Sequence, residues 1–290
     1  FIFALGMIVA FIPEGLLPTV TLSLAQGTQR MAKRHALLKN LNSVETLGET
    51  TVICSDKTGT LTQNQMTVNH LWLAGNTYDV TGTGYVTNGK IMAGNQAVSL
   101  EQDSDLATLI RIATLDNDTS VDEGTGNEKT KILGTPTEAA LVILTRKAGE
   151  DRQALTKQFE RLGELPFDSK RKLMSTITKT PAGNRLIYTK GALGSELAAC
   201  DRILDKGVVR PLTEQDRQRI VTANEQYARE GVRSLAFSYR EVTADDPLVG
   251  TKIADYTPQT AETHMVFVGL TVLSDPPRPG MYEAGQKCDR

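Results

Sequence analysis

The sequence has little of what metal, redox or nucleic-acid chemistry requires. Only three cysteines occur, Cys54, Cys200 and Cys288, odd in number, widely spaced and without a CxxC pair. That argues against a disulfide framework and for reduced thiols in a cytosolic setting. The three histidines, His35, His70 and His264, have no ligand spacing, so a zinc site is not expected. Thirty-two basic residues face 34 acidic ones, a net charge of −2, which gives no sign of a nucleic-acid partner. The glycine-rich run at 82–89, GTGYVTNG, has neither GxGxxG nor Walker spacing and reads as hairpin turns. The first residue is Phe1, inside an apolar run, and no stop signal marks the end, so the 290 residues are expected to be a piece of a longer protein, enough for about two domains.

What is present is organised around Thr50–Thr67, TTVICSDKTGTLTQNQMT. Val52-Ile53-Cys54 reads as a strand buried on both faces, with Asp56 at its C-terminal end, the edge where open α/β sheets bind ligands. Gly59 allows close backbone approach to a phosphate, Thr58 and Thr60 supply polar partners, and Lys57 lies beside developing negative charge. A carboxylate so placed is a candidate nucleophile toward the terminal phosphate of ATP, giving an aspartyl phosphate. An ordinary polar turn after a strand is the alternative.

Residues 1–25 are almost wholly apolar with one ionisable side chain, Glu14, which is long enough for a membrane span. Pro13 and Pro18 are expected to break its hydrogen-bond ladder and free carbonyls at 8–11, making these and Glu14 candidate cation ligands. A buried helix of a soluble protein is the competing reading. The basic cluster Arg30, Lys33, Arg34, His35 and Lys39 marks the cytoplasmic side, and Gln29–Leu47 reads as a helical stalk ended by Gly48.

Further on, Leu106–Leu115 reads as a helix and 116–131 as an exposed polar loop. Thr135-Pro136-Thr137-Glu138 caps a helix over 139–148. In LPFDSKRKLMS, Phe167 stands beside a cluster of cations and ahead of a strand-like run; such a ring can stack on a base, and nearby lysines can neutralise phosphate, a buried core ring being the alternative. Residues 187–190 read as a strand ending on Lys190, Pro211–Glu230 as helix, and Val266–Leu273 as an apolar strand followed by a stiff reversal, Asp275-Pro276-Pro277-Arg278-Pro279.

Taken together, SDKTGTLTQNQMTV, PEGL at 13–16, TPTEAAL, FDSKRKLMS, KGA at 190–192, GVRSLA and DPPRP resemble, in order, the motifs of the P-type cation-transporting ATPases. The likeness is to the calcium and sodium/potassium pump branch, within the haloacid dehalogenase superfamily. The resemblance implies a Rossmann-like phosphorylation domain with an inserted α/β nucleotide-binding domain, preceded by a transmembrane helix. The implied divisions are 1–27 transmembrane, 28–47 stalk, 48–64 phosphorylation domain, 65–269 nucleotide-binding domain and 270–290 return. It implies Asp56 as the phosphorylated residue with Lys57 and Thr58 beside it, and ATP held by Glu138, Phe167, Lys172, Lys190, Arg233 and Asp275. It also implies magnesium at Asp56 and the Thr58 carbonyl, and Glu14 on the transported cation, calcium being the first choice over sodium, potassium or protons. After KGA the chain departs from the family pattern, with Leu193-Gly194 in place of Pro-Glu. The whole protein would then be a multi-pass membrane ATPase with lipid, ATP and cation as partners and no nucleic acid, while this chain alone binds ATP without turnover. A soluble aspartate-dependent phosphatase and a non-catalytic nucleotide-binding module are the other classes open.

Overall fold

A computed structural model describes residues 2–122 and 131–288, the side chains of residues 5, 8–14, 121, 122, 131 and 132 excepted. It divides into two units between Ser55 and Asp56. The first holds α1 (Ile2–Ala32) and α2 (Asn42–Gly48). α1 runs unbroken through Pro13 and Pro18, contrary to the expected break. A proline removes one N–H from the ladder, and the turns on either side can carry the helix across.

Two other expectations fail in this unit. The stalk over 28–47 is not one helix: α1 ends at Ala32, His35 adopts a left-handed φ of 64°, and helix resumes only at Asn42. Near-helical apolar spacing was a poor guide because those side chains are not buried; Leu37 and Leu47 are exposed. Val52-Ile53-Cys54 forms no strand, and Val52 and Ile53 are exposed. A strand needs a ladder partner, and none of the described strands pairs with it. Among the described residues no helix is long and apolar enough to cross a membrane; part of the expected span over 1–27, including the side chains of residues 8–14, lies outside them.

The second unit is a large sheet between two layers of helix. In order it comprises β1 (Thr67–Leu73), β2 (Asn76–Val80), β3 (Ile91–Ala93), β4 (Gln96–Ala97), α3 (Ser104–Leu115), β5 (Ser120–Asp122), β6 (Lys131–Leu133), α4 (Pro136–Lys147) and α5 (Arg152–Gln158). Then come β7 (Glu160–Asp168), β8 (Leu173–Lys179), β9 (Arg185–Gly191), α6 (Leu193–Ala199), β10 (Cys200–Asp205), β11 (Val208–Pro211), α7 (Glu214–Arg229), β12 (Arg233–Val242), α8 (Pro258–Ala261), β13 (Met265–Ser274) and α9 (Met281–Cys288). The sheet order is β4-β3-β2-β1-β13-β12-β9-β8-β7, with β10 and β11 branching from β13. Every pairing is antiparallel except β10 with β13, so the insert is not the parallel arrangement that an α/β reading suggests.

β13 is central because its run MVFVGLTVLS is apolar on both faces, and nine of its ten residues are buried. Alternation then sends neighbours to opposite layers. Leu71, Leu73, Tyr188 and Phe237 pack with Leu106, Leu109 and Ile110 of α3 and Leu141 and Leu144 of α4. Trp72, Ile187 and Ala236 pack on the other side with Leu193 and Leu197 of α6 and Ile220 of α7. The expected helix at 106–115 is present, started by Asp103, whose Oδ1 accepts from the Asp105 and Leu106 amides at 3.1 and 3.0 Å. The 82–89 run lies in the hairpin connection between β2 and β3, as expected.

Candidate nucleotide site

Four local structures converge at one end of the sheet, on the α3/α4 face. The first is the start of α4. Thr135 takes the cap position, its hydroxyl accepting from the Glu138 amide at 3.3 Å, and Pro136 opens the helix. This leaves Glu138 in the first turn, mostly buried.

The second is the turn after β7. Asp168 Oδ1 accepts from the amides of Lys170 and Arg171 at 2.9 and 3.0 Å, and these bonds hold its carboxyl below the usual range. The turn closes with Lys172 at a φ of 56°. It sorts the cations: Arg171 faces away, bonded to the carbonyls of Pro166 and Leu173 and to Glu262 at 3.1 Å, while Lys172 lines the same cavity as Glu138 and Lys190. Phe167 stays 62% exposed, which no core role would leave.

The third is the end of β9, where Lys190 is buried and Gly191 passes close to the Lys172 carbonyl; a Cβ at Gly191 would collide with that backbone atom. The fourth is the start of β12, which brings Arg233.

Together these bound an open cavity of about 780 Å³, lined by Glu138, Phe167, Lys172, Lys190 and Arg233 with Asp118, Thr135, Met174 and Leu235 among the rest. Five of the six side chains expected to hold ATP thus meet in one place, from segments as far apart as residues 138 and 233. The volume suits a nucleotide-sized ligand, and an exposed ring flanked by three cations, Lys172, Lys190 and Arg233, and two carboxylates, Asp118 and Glu138, offers a stacking face, phosphate partners and an acceptor.

The sixth, Asp275, is elsewhere. Its Oδ2 accepts from the Thr62 hydroxyl at 2.5 Å and its Oδ1 from the Gln65 amide at 3.1 Å. Arg278 donates to the carbonyls of Gly59 at 2.8 Å and Thr62 at 3.1 Å, and its amide donates to the Leu61 carbonyl. The DPPRP segment therefore clamps the loop after Asp56. In that loop Gly59 has a φ of 77° and its amide donates to the Thr62 hydroxyl at 3.2 Å. Asp56, Lys57 and Thr58 are exposed at its start. Glu14 lies on α1 with its side chain outside the described residues. Among the described residues no group of three or more His, Cys, Asp or Glu side chains could hold a metal.

The sequence reading missed Asp116. At the start of the expected exposed loop over 116–131, Asp116, Asn117 and Thr119 are buried under the cavity wall while Asp118 is exposed; residues 123–130 of that loop lie outside the described residues. Asp116 Oδ1 accepts from the Thr176 hydroxyl at 2.5 Å, and its carbonyl accepts from the Lys190 ammonium. Lys190 also donates to Glu138 Oε1 at 3.0 Å. Burial pushes the Asp116 carboxyl up to about 6, against the opposing pull of Lys190 and the Thr176 hydroxyl. Polar composition suggested solvent; only the packing of α3 against the sheet shows otherwise.

The family model of the P-type ATPase cytoplasmic domain N matches residues 105–280. A calcium-transporting ATPase of Listeria monocytogenes is 40% identical over 282 residues, covering 97% of this chain and 29% of that protein. A calcium-transporting ATPase of Bacillus subtilis is 33% identical over 99% of the chain and 31% of its own length. A cation-transporting ATPase of Synechocystis is 36% identical over 98% and 31%. The chain thus spans under a third of the length of these relatives, and on these matches it belongs to the P-type ATPase family.

Proposed function

We propose that the chain is the nucleotide-handling part of an ATP-driven cation transporter that works through an aspartyl phosphate. The observation that supports this best is the convergence of Glu138, Phe167, Lys172, Lys190 and Arg233 on one cavity. In this reading Phe167 stacks on the adenine, Glu138 accepts from its amino group, Lys190, paired with Glu138 at 3.0 Å, lines the base end, and Lys172 and Arg233 offset the negative charge of the bound nucleotide. A carboxylate oxygen of Asp56 attacks the terminal phosphorus, the bond to the bridging oxygen breaks, and ADP leaves. Lys57 steadies the charge developing there. Asp275 acts by fixing the Asp56 loop rather than by touching nucleotide.

Magnesium usually arrives with phosphate oxygens and needs only one or two protein ligands. The exposed Asp56 carboxylate and the Thr58 carbonyl fit that modest demand, and the ion would supply charge neutralisation at the phosphate. Residues 48–64 and 270–290 are read as two pieces of a Rossmann-like haloacid dehalogenase phosphorylation domain around the nucleotide-binding insert. The whole protein is placed in a membrane, with residues after about 28 on the cytoplasmic side, Glu14 as a cation ligand and, after the relatives' names, calcium as the cation. This chain alone should bind ATP without turning it over.

The test is acid-stable, hydroxylamine-labile phosphate incorporation from labelled ATP into the full-length parent, across a panel of cations, with Asp56→Asn as control. Label that requires one cation and vanishes in the variant supports the reading. No label under any cation, with ATP binding intact, refutes it in favour of a non-catalytic nucleotide-binding module.

A further inference from the structure

Lys190 has more carboxylate around it than one ammonium can neutralise. It donates to Glu138 Oε1 at 3.0 Å and to the Asp116 carbonyl. Asp116 Oδ2 lies 4.0 Å from the same nitrogen, fully buried and without a hydrogen-bond partner. A buried carboxylate oxygen left unpaired costs stability, so its position calls for a reason. Glu138 is wired from the same segment: the Asp118 amide donates to Oε1 at 3.3 Å and Asn117 Nδ2 to the Glu138 carbonyl at 3.1 Å. Among the described residues its other oxygen, Oε2, has one hydrogen bond, a long one of 3.4 Å from the Thr135 hydroxyl. That oxygen is left to accept from a ligand.

We infer that Asp116 is a positioning residue that sets base specificity: by sharing the charge of Lys190 it keeps Glu138 an effective acceptor for a base that presents an amino group. The inference rests on the reading of this cavity as the nucleotide site. Beside them Arg161 pairs with Asp118 at 2.8 Å, so what Asp116 changes is how much of the Lys190 charge Glu138 must offset; a Glu138 carboxylate less neutralised by Lys190 attracts a donor edge and repels a carbonyl. With one carboxylate the pair is self-contained, Glu138 is committed to Lys190, and the distinction between amino and oxo fades. Asp116 touches no ligand in this scheme, since it lies behind Lys190 and does not line the cavity.

The experiment is calorimetric titration of ADP and IDP, which differ at the six-position as amino and oxo, into the 290-residue chain at neutral to slightly alkaline pH. Asp116→Asn keeps the shape and removes the charge. The preference for ADP over IDP should fall by roughly tenfold, the scale of one charged contact in a partly desolvated site, mainly through weaker ADP binding. Thr176→Val removes the hydroxyl that stabilises the Asp116 charge without touching the cavity and should move the ratio the same way, by less. It decides the matter should Asp116→Asn fail to fold. A ratio unchanged in a folded variant, or both nucleotides weakened equally, overturns the inference and leaves Asp116 a structural residue. Failure of the unaltered chain to bind either nucleotide overturns the nucleotide-site reading itself, and this inference with it.

Discussion

Replacing Glu196 by glutamine should stabilise the protein, and by more as the pH rises. Glu196 sits in α6 with no exposed surface, one oxygen accepting from the Ser238 hydroxyl at 2.5 Å and the other unpartnered. Burial pushes its carboxyl from 4.5 up to about 8; the Ser238 bond opposes this, and the charges of Asp116 and Glu262 add to it. In the unfolded chain the group ionises at its ordinary value. Between those two values the folded state holds a proton that the unfolded state has released, so stability is intact below about 4.5 and falls as pH rises toward 8. Each tenfold change in protonation corresponds to about 1.4 kcal/mol. The cost is therefore below about 1 kcal/mol near pH 5 and about 3 kcal/mol near pH 7. Glutamine is neutral throughout and keeps an acceptor for Ser238. Any cost of burying its amide is the same at every pH, so the pH dependence of the difference is the quantity to read. Urea unfolding of the two proteins across this range should show the gap in stability widening with pH. A gap that stays constant, or a variant progressively less stable than the parent as pH rises, would refute the placement of Glu196 as a buried, proton-holding acid.

The same geometry sets three other outcomes. Phe167→Ala should leave stability within about 0.5 kcal/mol, because the ring is exposed, yet weaken ATP binding by about 1–3 kcal/mol if it stacks on the base; calorimetry and thermal unfolding separate the two. Gly191→Ala should destabilise by about 1–3 kcal/mol in urea unfolding, the usual cost of overpacking, since the added methyl meets the Lys172 carbonyl. Arg278→Ala should speed amide exchange at residues 57–62, where its side chain holds the Gly59 and Thr62 carbonyls, while leaving nucleotide affinity of the cavity unchanged.

Much of the candidate site was legible through the family resemblance, because each motif that carries it is a short local device. A threonine cap with proline after it places Glu138 and an aspartate turn places Lys172, while for Phe167 the residues alone leave core and surface open and the structure leaves it exposed. These depend on nearest neighbours in the chain. The buried acids were not legible. Asp116 lies in a polar stretch whose burial depends on α3 and the sheet, and Glu196 lies just beyond KGA, where the chain departs from the family pattern. The stalk and the strand before Asp56 failed for a related reason. Apolar spacing reports what could be buried, whereas helix and strand also need a surface or a ladder partner, and Leu37, Val52 and Ile53 have neither. The resemblance groups Asp275 with the nucleotide residues, whereas its hydrogen bonds run to Thr62 and Gln65 in the loop after Asp56, a partnership between residues more than 200 apart that no local pattern signals.

The central claim is that the cavity beside Phe167 holds the nucleotide. Met174 lines that cavity, and the chain has six other methionines, at positions 7, 31, 66, 92, 265 and 281. Methyl-labelled methionine spectra of the 290-residue chain, recorded with increasing ATP, test it residue by residue. The account predicts that the Met174 resonance shifts in a saturable way while Met7, Met31 and Met281 stay fixed, and that Lys190→Met weakens the effect. A static Met174 with shifts at the other methionines, or no shift at saturating ATP, would contradict it.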